Sequence, residues 1–323
     1  MKQRDLTCGS ERGLSGEYGA LIEYLIFGLS LVALYYGAKS ITDSAVHFAK
    51  VLGISEFVIG ATVVAFGTAL PEFSTSLFAV IKDSGYPEIA AGNVLGSILA
   101  NTGLALGGAA MFYCVYIDRA VIETDLSFLL ASMLAVFVVF VDFRITWIEG
   151  ILLIVMYFSF IRHEIGEHKK SKAKGTEDFN PKYLALFIGG IILLYLGAQY
   201  MIGAILVIAG TLGISQAVIS FILLAIGTSL PEITTAIVAA KNGRGDIAMG
   251  DVLGANTFNA LIILGSVSLV GDVVASEAFI SIAVPSVLLI SVLLGFMVLG
   301  NKITKFEGTM LVALYFLVIY NIL

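Results

Sequence analysis

The sequence predicts an all-α integral membrane protein with ten transmembrane helices laid out as two inverted five-helix repeats. Three observations lead there. Of 323 residues, 59% are hydrophobic and 13% charged, with a mean hydropathy of +0.99; a soluble domain carries about a quarter charged residues. Apolar segments recur at 19–39, 56–81, 88–114, 124–142, 145–162, 183–204, 216–240, 247–270, 276–299 and 304–322, each near the ~20 residues a spanning helix needs. Finally, Gly67-Thr68-Ala69-Leu70-Pro71-Glu72 returns as Gly227-Thr228-Ser229-Leu230-Pro231-Glu232.

Residues 1–18 are polar and show no cleavable signal, so the 19–39 segment reads as the first span. The second segment, 56–81, carries the first motif. The third opens with Gly92-Asn93-Val94-Leu95-Gly96, and the plain apolar fourth and fifth segments close a repeat covering 19–162. Residues 163–182 form a charged connection in which Lys169, Lys170, Lys172, Lys174 and Lys182 face Glu164, Glu167, Glu177 and Asp178. The second repeat, 183–323, follows the same order. Leu52-Gly53-Ile54-Ser55 matches Leu212-Gly213-Ile214-Ser215, and Gly92 to Gly96 match Gly250-Asp251-Val252-Leu253-Gly254. The offset is 160 at Glu72/Glu232 and 158 at Asn101/Asn259, the slip falling in the loops 82–87 and 241–246. Short alternating β-barrel segments do not occur.

Five spans per repeat force the second copy to enter the membrane from the opposite side, which relates the halves by a pseudo-two-fold axis in the membrane plane. The positive-inside rule sets the direction. With 163–182 in the cytoplasm, thirteen of the 18 Lys and Arg lie inside, so both termini of this multi-pass cell-membrane protein are expected outside.

Other classes are excluded. Cys8 and Cys114 give no disulfide framework, and His47, His163 and His168 have no zinc spacing. No EF-hand, P-loop or nucleotide fingerprint occurs, so neither a cofactor nor a nucleic-acid partner is expected. Gly243-Arg244-Gly245-Asp246 matches the GxGD of intramembrane aspartyl proteases, but it sits in a charged loop and no Tyr-Asp partner exists in the chain. Glu23, Glu149 and Trp147 lie near span ends and read as interfacial.

The chemistry concentrates in the paired motifs. An acid at membrane depth costs roughly 2.5–3.5 kcal/mol on insertion scales. Pro71 lacks the N–H that the Gly67 carbonyl needs and its ring crowds that carbonyl; Pro231 does the same to Gly227. Each helix should therefore kink or unwind there, which is tolerated at depth only inside protein or beside a watery cavity. Thr68 and Glu72, like Thr228 and Glu232, are four apart and share a face. Asn93, Ser97 and Asn101 form a polar stripe, repeated as Asp251, Ala255 and Asn259. Carboxylates, hydroxyls, amides and freed carbonyls are hard oxygen ligands suited to Ca²⁺ or Na⁺. For one motif, a kinked helix with a hydrogen-bonded Glu explains as much; two at symmetric positions point to one shared site.

With these residues in view, the chain resembles the sodium/calcium exchangers of the cation/calcium antiporter superfamily, over essentially 19–322. The resemblance implies four cation sites at mid-membrane. Glu72 and Glu232 would be the central Ca²⁺ and Na⁺ ligands, assisted by the Thr68 and Thr228 hydroxyls and the Ala65 and Ala225 carbonyls. Ser97 would serve one Na⁺ site, Asn101 and Asn259 the middle of the cluster, and Ser229 would be a supporting hydroxyl. The chain departs from the family pattern in places. Ala69 stands where Ser is frequent, and Ala255 replaces the counterpart of Ser97, removing a hydroxyl from a Na⁺ site expected on the outward side. Asn259 replaces a frequent Asp, which argues against K⁺ co-transport, and Asp251 replaces Asn. Asp251 lies two turns before Asn259, about 12 Å along a helix, and with Asn93 is expected in a vestibule, Asp251 at the inner mouth.

The expected activity is exchange of Ca²⁺ for Na⁺ by alternating access, in which the resemblance implies that spans 1 and 6 move against spans 2, 3, 7 and 8. A Ca²⁺/H⁺ antiporter on the same carboxylates is the alternative. A channel is disfavoured because pores are usually symmetric oligomers about the membrane normal. Expected partners are Ca²⁺, monovalent cations and the bilayer; no oligomeric state is assigned, and a monomer suffices.

Overall fold

A computed structural model describes residues 11–81, 87–117, 119–170, 177–211 and 226–322. It is helical, with long apolar rods packed side by side. Helix α1 (Glu11–Leu52) is followed by α2, which passes from Glu56–Ile59 through a π-helical stretch, Gly60–Val64, into Ala65–Thr68. Next come α3 (Leu70–Ile81) and α4, which runs Pro87–Ala100, π-helical Asn101–Leu106, then Gly107–Tyr113. Helices α5 (Arg119–Val139), α6 (Trp147–Lys170), α7 (Pro181–Thr211) and α8 (Leu230–Lys241) follow. Helix α9 runs Gly245–Phe258, π-helical Asn259–Ile263, Leu264–Ser268, and α10 (Glu277–Val298) and α11 (Lys305–Ile322) complete the chain. By length and composition six described helices can cross a membrane, or seven when the broken α2–α3 pair counts as one span. Phe66, Leu152, Phe158, Phe296 and Tyr320 are among many large apolar side chains left exposed, as expected of surfaces facing lipid. The chain is a multi-pass membrane protein.

Helix boundaries differ from the apolar segments at polar ends. Helix α1 continues to Leu52, well past residue 39, and α6 runs to Lys170, into the charged connection. Hydropathy marks where lipid stops, while the i→i−4 ladder continues until its backbone meets a breaker; Gly53, with φ +67°, follows α1 directly. Four two-residue strands also occur, which an all-α reading did not include. Strand β1 (Val115–Tyr116) pairs with β4 (Lys302–Ile303), and β2 (Arg144–Ile145) with β3 (Val273–Val274), both antiparallel.

These short ladders fix the ends of the bundle. At one end, the β1/β4 ladder lies with the 241–246 turn, where Gly245 packs on the Tyr116 backbone. Arg244 reaches Glu56 there at 2.7 Å, and Lys50 reaches Glu177 at 2.8 Å. At the other end lies β2/β3, with Gly271 against Val80.

Three features recur at the offset of 158 or 160. Thr146 offers its N–H and hydroxyl to Glu149 Oε2, and Thr304 does the same to Glu307, so Glu149 is a helix cap. Phe143 and Asn301 both take positive φ, 62° and 60°. On the α1–α7 seam, a Cβ on Gly37 would touch Leu194, and one on Gly197 would touch Leu34. Small residues there let two helix backbones approach closely. The α2–α9 seam is tighter: a Cβ on Gly60 would lie 2.9 Å from the Ile247 carbonyl, and one on Gly250 would collide with the Phe57 carbonyl.

The charged connection is anchored by His47, which is 5% exposed. Its Nδ1 pairs with Glu177 Oε2 at 3.0 Å, its Nε2 accepts the Asn180 N–H at 3.2 Å, and its ring stacks on Tyr183 at 4.1 Å. Lys50, and then His47, hold the Glu177 carboxyl below its ordinary 4.5. A depressed carboxylate stabilises the fold above its unfolded pKa and loses that contribution as pH falls through its folded value. Glu177→Gln should therefore raise amide exchange around residues 177–183 at neutral pH, and variant and parent should converge only well below pH 4.5. Separately, Gly250→Ala should destabilise the protein by about 1–3 kcal/mol through overpacking, read as a lower thermal midpoint. Gly189→Ala, where a Cβ meets nothing within 4 Å, should not.

Candidate cation site

The two motifs fold alike. Residue Ala69 breaks α2 from α3 with φ −80° and ψ 5°, and Ser229 precedes α8 with φ −84° and ψ 5°. The first break bends the chain by 44°, as a proline without an N–H demands. Each Glu consequently lies in the first turn of a new helix, Glu72 in α3 and Glu232 in α8.

Both carboxylates are 0% exposed and lie within electrostatic reach of each other. The Ser229 hydroxyl donates to Glu72 Oε1 at 3.3 Å. Glu72 Oε2 and both oxygens of Glu232 have no hydrogen-bond partner. The difference follows from sequence: the residue opposite Ser229 is Ala69, which has nothing to donate. No ion pair found among the described residues reaches either Glu.

Threonines and stripe residues join the halves. Thr228 donates to Asn93 Oδ1 at 3.2 Å and lies 3.4 Å from the Ser97 hydroxyl. Asn93 Nδ2 donates to the Glu72 backbone carbonyl at 3.1 Å and to Ser76 at 2.9 Å. In the other half Thr68 lies 3.2 Å from Asp251 Oδ1 and 3.3 Å from the Val64 and Ala65 carbonyls, which compete for its one proton. Asn101 and Asn259 are fully buried, their amide atoms unpartnered, and each begins a π-helical stretch. Such stretches mark functional sites often enough to support a role for both. The Ala65 carbonyl also accepts the Ala69 N–H at 3.0 Å. Ala225 lies outside the described residues.

One expectation needs correction. Asp251, expected at the inner mouth, is 0% exposed, and Asn93 is 1% exposed. Distance along α9 suggested a vestibule, but the glycines at 60, 250 and 254 let α2 close over α9 and shut that turn away from water. Ala255, fully buried, lies one turn after Asp251 on α9, at the position equivalent to Ser97 on α4. Sequence reading also passed over Ser76, Thr235 and Asn256. Thr235 is buried, three residues after Glu232, and its hydroxyl is unpartnered; Asn256 donates to Thr102 at 2.9 Å and leaves its Oδ1 unpartnered. A polar residue deep in an apolar span is a signal for all three.

Comparison with known proteins agrees with this geometry. The family model described as "Sodium/calcium exchanger protein" matches residues 22–165 and 182–323. The chain belongs to the sodium/calcium exchanger family. An uncharacterized membrane protein of Methanocaldococcus jannaschii is 32% identical over 299 residues, covering 92% of this chain and 96% of that one. Sodium/calcium exchanger MaX1 of Methanosarcina acetivorans is 31% identical over 340 aligned positions, covering 91% and 96%. Among solved structures, the sodium-calcium exchanger NCX_Mj soaked with zero Na⁺ and Ca²⁺ superposes with a TM-score of 0.82 at 31% identity, covering 94% of this chain and 100% of that chain. The family is one of ion antiporters, not enzymes.

Glu72 and Glu232 differ by one donor, and this exchanger-family chain can be tested there. Ser229→Ala should raise the Ca²⁺ concentration needed for half-maximal thermal stabilisation about tenfold, the scale of a hydrogen bond to a charged group. Ala69→Ser, which gives Glu232 a matching donor, should lower it.

Proposed function

We propose that the chain is a secondary active antiporter exchanging Ca²⁺ for Na⁺ by alternating access, with Glu72 and Glu232 as shared ligands. The observation that carries this is a pair of fully buried carboxylates, one from each broken helix, with three oxygens unpartnered and, among the described residues, no cationic side chain paired to them. Uncompensated charge in a low-dielectric interior is strongly unfavourable. The closed intermediate between inward- and outward-open states then forms only when cations neutralise the pair: one Ca²⁺ or several Na⁺. That condition makes transport an exchange rather than a leak. Thr68, Thr228, Ser97, Ser229, Asn101 and Asn259 supply neutral oxygens around the ions, and Ala65 and Ala225 backbone carbonyls.

The architecture proposed with this function is ten spans in two inverted repeats. The recurring breaks, π-helical stretches, caps and glycine contacts support it, as do the two ladders, which exchange places at the 158 offset. Lys50, Lys182, Lys241, Arg244, Lys302 and Lys305 lie in the terminal turns of helices and the segments joining them at one end, which supports that end as cytoplasmic and the termini as external in a cell membrane. Helices α1 and α7 cover the site: an apolar cleft between Gly67, Pro71, Pro231 and the α7 residues Ile191, Leu194 and Tyr195 separates α7 from both breaks. Their glycine seam suits them to slide as a pair. A Ca²⁺/H⁺ antiporter is the second reading, favoured by the missing hydroxyls at Ala69 and Ala255.

In proteoliposomes, an outward Na⁺ gradient should drive ⁴⁵Ca²⁺ uptake by the parent. Glu72→Gln should lose about 3–5 kcal/mol of cation binding, the scale of breaking a buried charge pair, and with it more than about a hundredfold in uptake at low Ca²⁺. Uptake that ignores Na⁺ and follows a pH gradient selects the proton version, and normal uptake by Glu72→Gln ends the site assignment.

A further inference from the structure

We propose that Asp251, Thr68 and Glu232 form a charged seat for a monovalent cation beside the Glu72–Glu232 pair, with only a neutral counterpart in the other half. This deepens the antiporter reading and rests on it. The argument starts from the pseudo-symmetry. Asn93 and Asp251 occupy equivalent positions on α4 and α9, and each is bonded to the motif threonine of the opposite repeat, Thr228 or Thr68, at 3.2 Å. The equivalence ends at the second side-chain atom. Asn93 Nδ2 is a donor, satisfied by the Glu72 carbonyl and the Ser76 hydroxyl. Asp251 carries Oδ2 instead, an acceptor that is fully buried and has no partner. The residue equivalent to Ser76 is Ala236, which offers no hydroxyl.

Around Thr68 the neutral oxygens are also thinned. The Thr228 half has Ser97 and Ser229 hydroxyls, with Ser97 3.4 Å from Thr228; the equivalent positions near Thr68 are Ala255 and Ala69. One carboxylate has thus replaced two hydroxyls on the same side. The oxygens left there without partners are Asp251 Oδ2 and both of Glu232, and Glu232 is near enough to act electrostatically on Asp251. A buried, unpartnered acceptor with a carboxylate for a neighbour calls for a positive charge between them. Among the described residues no three acidic, His or Cys side chains converge on one metal-sized point. Asp251 therefore does not enlarge the central Glu72–Glu232 site but makes a separate seat that shares Glu232. Two carboxylates, a hydroxyl and the Ala65 carbonyl at the α2 break are hard oxygens of the kind Na⁺ accepts.

The test is Na⁺-driven ⁴⁵Ca²⁺ uptake in proteoliposomes by the parent, Glu72→Gln and Asp251→Asn, each first shown to be monodisperse. Loss of Na⁺-driven uptake in the parent would remove the antiporter reading itself, before the question of Asp251 arises. With the parent active, Asp251→Asn should raise half-saturating Na⁺ about tenfold, one lost charged ligand, while half-saturating Ca²⁺ changes less than about twofold. Glu72→Gln should impair both ions. Unchanged Na⁺ dependence in Asp251→Asn, or loss of Na⁺ and Ca²⁺ in equal proportion, overturns the seat. Should Asp251→Asn not fold, carbodiimide labelling of Asp251 in the unmodified protein, read by peptide mass spectrometry, decides: protection by Na⁺ supports the seat, and labelling indifferent to Na⁺ overturns it.

Discussion

The structure turns on burying three acids with, among the described residues, no Lys or Arg paired to them. Glu72, Glu232 and Asp251 are each 0% exposed, and the ion pairs found among the described residues lie elsewhere: on the exposed face of α1 for Lys39 and Asp43, and at helix ends and in connections for the others. A protein seeking stability alone would place an Arg beside them or replace them with apolar residues of similar volume, which is often neutral or stabilising. Keeping the acids and withholding the base leaves a fold that is incomplete without mobile charge. In the proposed exchange, that incompleteness couples the two ions: each crossing needs a neutralised site, and only the transported cations can neutralise it.

The near-symmetry of the halves sharpens this. An inverted repeat with identical halves would present the same ligands to both faces of the membrane. Here the ligands differ at four equivalent positions: Ser229 against Ala69, Ser97 against Ala255, Asn93 against Asp251, and Ser76 against Ala236. The backbone at the two breaks does not differ in this way: Ala69 and Ser229 agree within a few degrees. The two breaks have kept one geometry while the oxygens around them have been redistributed, from hydroxyls toward charge on the Thr68 side. In the proposed exchange, such an arrangement would let one face discriminate ions differently from the other without altering how the helices move.

Much of this was legible in the sequence because it depends on local rules. A proline four residues after a glycine at depth predicts a break, and the chain bends there by 44°; spacings of four predict shared faces, and Thr68, Glu72, Asn93 and Asn101 are all buried. What was not legible depends on a second helix. The depth of Asp251 is set by α2 closing over glycines of α9, which no count along α9 reveals. The His47–Glu177–Lys50 cluster joins residues about 130 apart. The two-residue ladders are too short to leave an alternating pattern, and the polar ends of α1 and α6 are helical although they are not apolar.

The breaks themselves have an energetic logic. In the middle of an unbroken helix, Glu72 would receive nothing from the backbone. In the first turn of α3 it faces the unsatisfied N–H groups of a helix N-terminus, and Glu232 does the same in α8. That alignment is worth about 0.3–1 kcal/mol, up to ~2 kcal/mol in partly buried geometries. The insertion cost of each acid is roughly 2.5–3.5 kcal/mol. The helix termini therefore offset part of the cost, and the Ser229 hydroxyl offsets more of it for Glu72 alone. A remainder persists on both sides and is larger for Glu232, which lacks the hydroxyl and has Asp251 as a neighbour. No ion pair found among the described residues supplies it. A bound cation can, and the carbonyl-bearing C-terminal end of α2, on the near side of the break, presents the complementary pole to receive one.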